Sequence, residues 1–127
     1  MSRKRLSRRI VAGIAVVVIV GAIAIRGNHA MVRHSRESVL QFNLVAIRTE
    51  IKSYVQDKHR VPQSLQDLVD AGYFRELPID PMTNSNSSWK PEIGDIVIAA
   101  GRTERGIADV HSGSSDYSSN GTPYSAW

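Results

Sequence analysis

The stretch RRIVAGIAVVVIVGAIAIRGN, residues 8–28, decides the fold of this chain. Sixteen uncharged residues, Ile10–Ile25, lie between flanks that carry arginine. As an α-helix they would rise about 24 Å, less than the roughly 30 Å of a bilayer's hydrocarbon core. Arginine side chains at both ends can reach the headgroups, which still allows the segment to cross a membrane. The basic start and the small residues Ala22 and Ala24 equally fit a cleaved signal peptide, so these local features leave both alternatives open.

The residues that follow favour an anchor that is retained. Apolar residues recur there with helical spacing, at Leu40, Leu44, Ile47, Ile51, Tyr54 and Val55. No proline separates this stripe from the apolar segment, so we predict one helix from about Ile10 to Asp57. Its first half (residues 10–25) would be transmembrane, and its second half (residues 26–58) would be amphipathic and pack its stripe on a domain. A signal peptide that is removed needs no such continuity.

Charge is unevenly distributed along the chain. Residues 1–9 carry five basic residues and no acid, residues 26–60 carry a net +4, and residues 61–127 carry a net −5, within a total of +4. Basic residues beside an apolar segment mark the cytoplasmic side of a membrane span, so the high pI does not predict nucleic-acid binding. The chain has no cysteine, which excludes disulfides, thiolate nucleophiles and cysteine zinc sites.

The segment VPQSLQDLVDAGYF, residues 61–74, predicts a short helix. Ser64 is placed as its N-cap with Asp67 three residues later, as in a capping box. Gly72 is placed to end the helix in the left-handed conformation. Tyr73 and Phe74 follow where a small domain would bury aromatic side chains.

The next segment, LPIDPMTN, residues 77–84, predicts a rigid turn formed by Pro78, Asp80, Pro81 and Asn84. The two prolines fix φ and force the residues before them out of the helical region. Asp80 can accept hydrogen bonds from the backbone N–H groups that follow it. The alternative is a metal-binding or catalytic role for Asp80.

The C-terminal part predicts a small antiparallel sheet. SSWKPE and DIVIAAG are strand candidates, GRTERG is a candidate turn, and IADVHS is a candidate return strand. The sheet would lie against the amphipathic helix, an α+β arrangement. The remaining Ser- and Gly-rich tail carries Tyr117, Tyr124 and Trp127, which we expect to pin it to the domain, with Trp127 as the clasp.

This order of elements resembles the major pseudopilin of type II secretion systems and similar type IV pilin-like proteins. The resemblance covers roughly residues 20–127 and depends most on the LPIDPMTN block, followed by a tryptophan strand and a Ser/Gly-rich loop. It implies a pilin-like fold and a single-pass protein of the bacterial inner membrane, with residues 1–9 cytoplasmic and residues 59–127 periplasmic. It also implies assembly with other pseudopilin subunits into a filament that serves the secretion machinery, without a small-molecule substrate.

The N-terminus departs from the family pattern. Pilin-like precursors carry a glycine before the cleavage point, then an aromatic residue and a glutamate at the head of the apolar run. In the corresponding register this chain has Lys4, Arg5 and Arg9, and Arg26 replaces a helix-bending proline. We therefore do not infer from the resemblance that a prepilin peptidase processes this chain. The subunit-to-subunit pairing that the glutamate makes in the family is also in question. A non-polymerising periplasmic binding module with a pilin-like fold, membrane-anchored or secreted, is the alternative function.

The family's C-terminal loop often binds calcium through aspartates and carbonyl groups. By this resemblance Asp109 and Asp116 are the candidate calcium ligands, and a solvated polar loop is the alternative. Asp109, His111 and Ser112 also suggest a hydrolase, but along a strand the serine would point away from the other two, so we predict no enzyme.

A basic helix side, formed by Arg33, Arg36, Arg48, Lys52 and Lys58, is interpreted as a solvated surface or as a surface for pairing with other subunits.

Overall fold

In the computed structural model the backbone is described for residues 2–127 and the side chains for residues 10–127. Helix α1 runs from Ser2 to Lys58, so it begins before the predicted start at Ile10 and ends one residue beyond the predicted end. It ends because His59 adopts a left-handed conformation, with φ of 50°, and donates its backbone N–H to the Val55 carbonyl at 3.0 Å. The predictions that concern Met1 and the side chains of residues 1–9 lie outside the described part.

The chain divides into two compact units within α1. Residues 36–127 form one unit, and the preceding part of the helix belongs to the other. Within the described residues, this helix near the N-terminus is long and apolar enough to cross a membrane, and the apolar window that qualifies has no buried residue.

Helix α2, Gln66–Asp70, lies where a short helix was predicted, but its start differs from the prediction. The N-cap position is Leu65, whose side chain cannot accept a hydrogen bond. Ser64 instead donates its hydroxyl to Asp67 at 2.8 Å, and the Asp67 carboxylate also accepts the backbone N–H groups of Gln63 and Ser64. The prediction of Ser64 as N-cap is therefore wrong: α2 has no side-chain cap, and the Asp67 carboxylate instead holds the segment that precedes the helix. Gly72 does adopt the expected left-handed conformation, with φ of 85°.

The sheet has two antiparallel strands, β1 (Lys90–Ala99) and β2 (Arg102–His111). The two strand candidates belong to one strand, since β1 contains KPE of the first and DIVIA of the second. Of the candidate turn GRTERG only Gly101 lies in the turn, and residues 102–106 begin β2, so the predicted extent of the turn is wrong. The reversal needs only Ala100 and Gly101, because Gly101 takes a positive φ of 74°. Gly106, which suggested a turn, instead permits close packing: a Cβ there would lie 2.8 Å from the Pro62 carbonyl oxygen.

The core lies between the second half of α1 and the sheet, which confirms the predicted α+β arrangement of a long helix packed on a small antiparallel sheet. Its buried residues are Leu40, Leu44, Ile47, Ile51, Leu65, Leu68, Trp89, Ile107, Val110 and Tyr124. Tyr54, Tyr73 and Phe74 are half-buried and pack against this core. Val55, the last residue of the predicted stripe, is half-buried.

Candidate functional site

Glu37 joins α1 to the C-terminal loop. Its carboxylate accepts the backbone N–H and the hydroxyl of Ser119, at 2.8 and 2.9 Å, and the hydroxyl of Tyr124 at 2.9 Å. Glu37 is buried although it is charged. Buried carboxylates are stable only where hydrogen bonds replace the lost water, and these three donors do so.

Arg48 makes a second connection between α1 and the end of the chain. Its Nε donates to Asp109 Oδ1 at 2.6 Å, and its Nη2 donates to the main-chain oxygens of Val110 and Trp127, both at 3.0 Å. Burial alone would raise the pKa of Asp109, but hydrogen bonds from Arg48 and Val110, with the guanidinium charge, lower it below 3.8. Arg48 therefore bonds within its own chain and does not belong to a solvated basic side, whereas a role of the basic side in pairing with other subunits stays a prediction.

The predicted turn residues lie together in one irregular connection. Asp80 is fully buried: its Oδ1 accepts the Met82 N–H at 2.8 Å, and its Oδ2 accepts the Ser112 hydroxyl at 2.7 Å and the Gly113 N–H at 3.0 Å. Asn84 donates its backbone N–H to the Asp80 carbonyl at 2.7 Å and has a left-handed φ of 58°. The Asp80 carboxylate thus holds the turn against the start of the C-terminal loop.

The two prolines flank Asp80 in this turn. The Pro78 carbonyl accepts the indole N–H of Trp89 at 2.8 Å, which attaches the connection to the residue that directly precedes β1. Pro81 is half-buried and follows Asp80 directly. Asn43 of α1 donates to the Ile79 carbonyl at 2.9 Å, so the turn is attached to the helix as well.

The sheet places Glu92, Asp109 and His111 on one side. The carboxylate oxygens and a ring nitrogen of these residues lie within 4.8 Å of one another. His111 Nε2 is 2.9 Å from Glu92 Oε2, and His111 Nδ1 is 2.7 Å from the Trp127 oxygen. The hydrogen bond with Glu92, followed by those with Trp127 and the Asp109 charge, raises the pKa of His111 above 6.5 despite its partial burial.

The two candidate calcium ligands have different surroundings. Asp109 is bound by Arg48, and it belongs to the group with Glu92 and His111, which does not include Asp116. The exposed Asp116 is held through its backbone, which donates to Ser114 Oγ at 3.1 Å and accepts the Tyr124 N–H at 3.0 Å. Calcium binding by Asp109 and Asp116 stays a prediction.

Ser112, the serine of the suggested hydrolase group, is fully buried, and its hydroxyl donates to the Asp80 carboxylate rather than to His111.

Three large apolar residues are exposed on the side of α1 that faces away from the core. Phe42 is 73% exposed, Val45 is 62% exposed and Val39 is 48% exposed. Each lies one or two residues from a core residue, and steps of one or two positions turn a helix by about 100° or 200°. The second half of α1 therefore has a core face, formed by Glu37, Leu40, Leu44, Ile47, Arg48 and Ile51, and an outer face, formed by Val39, Phe42, Val45 and Thr49.

Hydroxyl groups beside the outer face bond to the helix itself. Ser35 donates to the Met31 carbonyl at 3.0 Å, Thr49 to the Val45 carbonyl at 2.8 Å, and Ser53 to the Thr49 carbonyl at 3.1 Å. A hydroxyl bonded to the carbonyl four residues earlier needs no partner from water or from another chain. The outer face can therefore be covered by an apolar partner at little desolvation cost.

Comparison of the chain with family models, with curated proteins and with solved structures gives no match.

The roles of Glu37 and Glu92 are not predicted from the sequence. Glu37 had a recognisable signal, since it is the first acidic residue of the chain and lies three positions before Leu40, on the same helix face. Glu92 had no comparable signal, because its proximity to His111 depends on how the two strands are paired.

Proposed function

We propose that this chain is a structural, pseudopilin-like subunit of a type II secretion or type IV pilus-like machine. It is anchored in the bacterial inner membrane by residues 10–25, with its N-terminus cytoplasmic and residues 59–127 periplasmic. It assembles through α1 with other subunits of the same kind, supports protein export mechanically and catalyses no reaction.

The outer face of α1 is the observation that carries this proposal. A helix that only closed its own domain would need one apolar face, whereas α1 has a buried core face and an exposed outer face with Phe42 and Val45. An exposed apolar surface rimmed by polar residues commonly marks a protein–protein contact. Because the outer face belongs to a helix that runs from Ser2 to Lys58, another long helix is the partner that fits it best.

The charge pattern supports the proposed orientation. Residues 1–9 have a net charge of +5, and the positive-inside rule assigns such a segment to the cytoplasm. The acidic C-terminal part would then lie on the opposite side of the membrane.

A second candidate function follows from the departure at the N-terminus. Lys4 and Arg9 stand where the family has a glycine and a glutamate, so the N-terminal contact between subunits would differ in charge. A periplasmic binding module that keeps the fold without polymerising is therefore the alternative that experiments should test.

Cysteine crosslinking in membranes distinguishes these functions, because the chain has no cysteine of its own. Phe42→Cys places one thiol on the outer face, and Ser87→Cys places one on an exposed turn as the matched control. With a bifunctional thiol reagent, we expect Phe42→Cys to give dimers and higher multimers in cells that contain the whole machine, and Ser87→Cys to give far fewer. Equal monomer recovery from both variants would contradict assembly through this face.

Mass spectrometry of the N-terminus tests the anchor separately. An intact Met1 or Ser2 start in the membrane fraction supports an uncut anchor. A start near Ile25 would contradict it, since the apolar segment would then have been removed as a signal peptide.

A further inference from the structure

The pairing of β1 with β2 brings two carboxylates directly opposite each other. Glu92 pairs with Asp109 across the strands, and His111 lies two residues beyond Asp109, on the same side of β2. Just beyond this pair the register shifts, so that Ile93 pairs with Ile107 and Ala108 is the additional residue of a β-bulge. Like charges directly opposite on antiparallel strands repel, so this arrangement calls for a cation.

Arg48 supplies only part of that positive charge. It bonds to Asp109 Oδ1, which also accepts the Val110 N–H at 2.7 Å. Asp109 Oδ2 faces the other way, 3.9 Å from His111 Nε2. Glu92 Oε2 is 2.9 Å from the same nitrogen, so two carboxylate oxygens converge on one ring nitrogen.

The main-chain oxygen of Trp127 determines which nitrogen of the His111 ring faces Glu92 and Asp109. A main-chain oxygen only accepts hydrogen bonds, so the 2.7 Å contact requires that Nδ1 carries the hydrogen. Glu92 Oε2 likewise only accepts, so Nε2 also carries a hydrogen where it bonds to Glu92 at 2.9 Å, and a metal ion would bind at Nε2 in place of that hydrogen. Metal-binding histidines show the same arrangement, in which the ring nitrogen that is not a ligand donates to a carbonyl or carboxylate.

We propose that Glu92, Asp109 and His111 form a binding site for a divalent transition-metal ion of the zinc class. One imidazole nitrogen and two carboxylate oxygens are ligands that zinc accepts, and solvent would complete its coordination. Their ligand atoms all lie within 4.8 Å of one another, so small side-chain movements would bring them around one such ion. Calcium fits less well, since it prefers six to eight oxygen ligands.

This site differs from the calcium site implied by the resemblance, since it uses Glu92 and His111 in place of Asp116. It is also independent of the proposed assembly. The bound ion would join β1 to β2 and, through His111, hold Trp127 against α1. We therefore expect metal to stabilise the C-terminal loop.

Zinc titration of the full chain in detergent, with Zn²⁺ alone as the probe, tests this site by calorimetry. The two disrupting variants are Glu92→Gln and His111→Gln. The matched controls are Asp95→Asn, also an exposed acid of β1, and His29→Gln, an exposed histidine of α1. We expect one Zn²⁺ per chain in the wild type, binding at least about tenfold weaker in both disrupting variants, and unchanged binding in both controls.

A second experiment with Co²⁺ in place of Zn²⁺ tests the same site even if a variant is less stable than the wild type. Glu92 is 63% exposed, so its replacement should leave the tryptophan fluorescence of the metal-free chain unchanged. With Co²⁺ we expect visible ligand-field absorption in the wild type that is reduced in Glu92→Gln, while Ca²⁺ in excess does not displace the cobalt. Wild-type affinity for Zn²⁺ in a folded Glu92→Gln variant, or no stoichiometric binding in the wild type, would overturn the proposal.

Discussion

The core face and the outer face of α1 belong to the same stretch of helix, yet they have different surroundings. Leu40 and Leu44 on the core face are buried, whereas Phe42, between them in sequence, is largely exposed. Hydrophobicity therefore does not determine which face the domain covers. The covered face also carries Glu37 and Arg48, whose side chains bond to the C-terminal loop. The face left exposed is the one available for other chains.

The largest difference between the two faces should appear when leucine is truncated on the core face. We expect Leu44→Ala to lower the free energy of unfolding by about 2–5 kcal/mol, because it leaves a cavity in the buried core. Both tryptophans, Trp89 and Trp127, lie in the C-terminal domain, so tryptophan fluorescence during urea unfolding reports on that domain.

Val45→Ala is the control for this truncation, since Val45 lies next to Leu44 on the exposed side. We expect it to change the same free energy by less than about 0.5 kcal/mol. If the two variants lost equal stability, the assignment of core and outer faces would be wrong.

Glu37→Gln should have the next largest effect. It keeps the shape of the side chain but removes the charge that strengthens three accepted hydrogen bonds from Ser119 and Tyr124. We expect a loss of about 1–3 kcal/mol in the free energy of unfolding and faster proteolysis of the C-terminal loop. The exposed Glu76 is the control: if Glu76→Gln had the same effect, the burial of Glu37 would not explain it.

Arg48→Met replaces the other charged residue of the core face, and its effect on the free energy of unfolding should depend on pH. The side chains of Arg48 and Asp109 are 32% and 38% exposed, so solvent screening limits the expected loss at neutral pH to about 1 kcal/mol. The pKa of Asp109 is below 3.8 in the folded chain, so its pair with Arg48 stabilises above that value. This contribution is lost as the pH falls through the folded pKa.

Urea unfolding of wild type and Arg48→Met across an acid pH series checks this dependence. The two free energies of unfolding should converge as Asp109 is protonated. The exposed Lys52 is the matched control, and Lys52→Met should follow the wild type at each pH. A difference for Arg48→Met that stays constant down to the lowest pH would show that the pair is not its cause.

Phe42→Ala should have the smallest effect on stability and the most specific effect on assembly. Because Phe42 is 73% exposed, its truncation should change the free energy of unfolding by less than about 0.5 kcal/mol. In the proposed filament it should reduce crosslinking through a cysteine at Val45, whereas Gln41→Ala should not. Unchanged crosslinking would show that the outer face takes no part in assembly.

The helix and its two halves were predictable because periodicity and the absence of proline act locally. The core residues Leu40, Leu44, Ile47 and Ile51 are correctly identified by their spacing. The strand boundaries were not predictable in this way. A glycine such as Gly106 looks the same in the sequence whether it forms a turn or permits close packing, here with Pro62. Only the packed structure distinguishes these two uses of glycine.

The candidate sites were less predictable than the fold. Asp80 was identified because a turn acid between prolines acts on nearby backbone groups, but its bond to Ser112 joins distant segments. The proximity of Glu92 to His111 depends on strand register, which a β-bulge shifts by one residue just beyond Glu92. The sequence pattern did not specify that bulge.

The sequence by itself determined a long helix that is apolar in its first half and amphipathic in its second, followed by an acidic α+β domain. Those properties follow from composition and periodicity, which act over a few residues. Only the tertiary structure decided which apolar face of α1 is covered and which carboxylates meet His111. Both depend on contacts between segments far apart in the chain, and such contacts are specified by packing and strand register together.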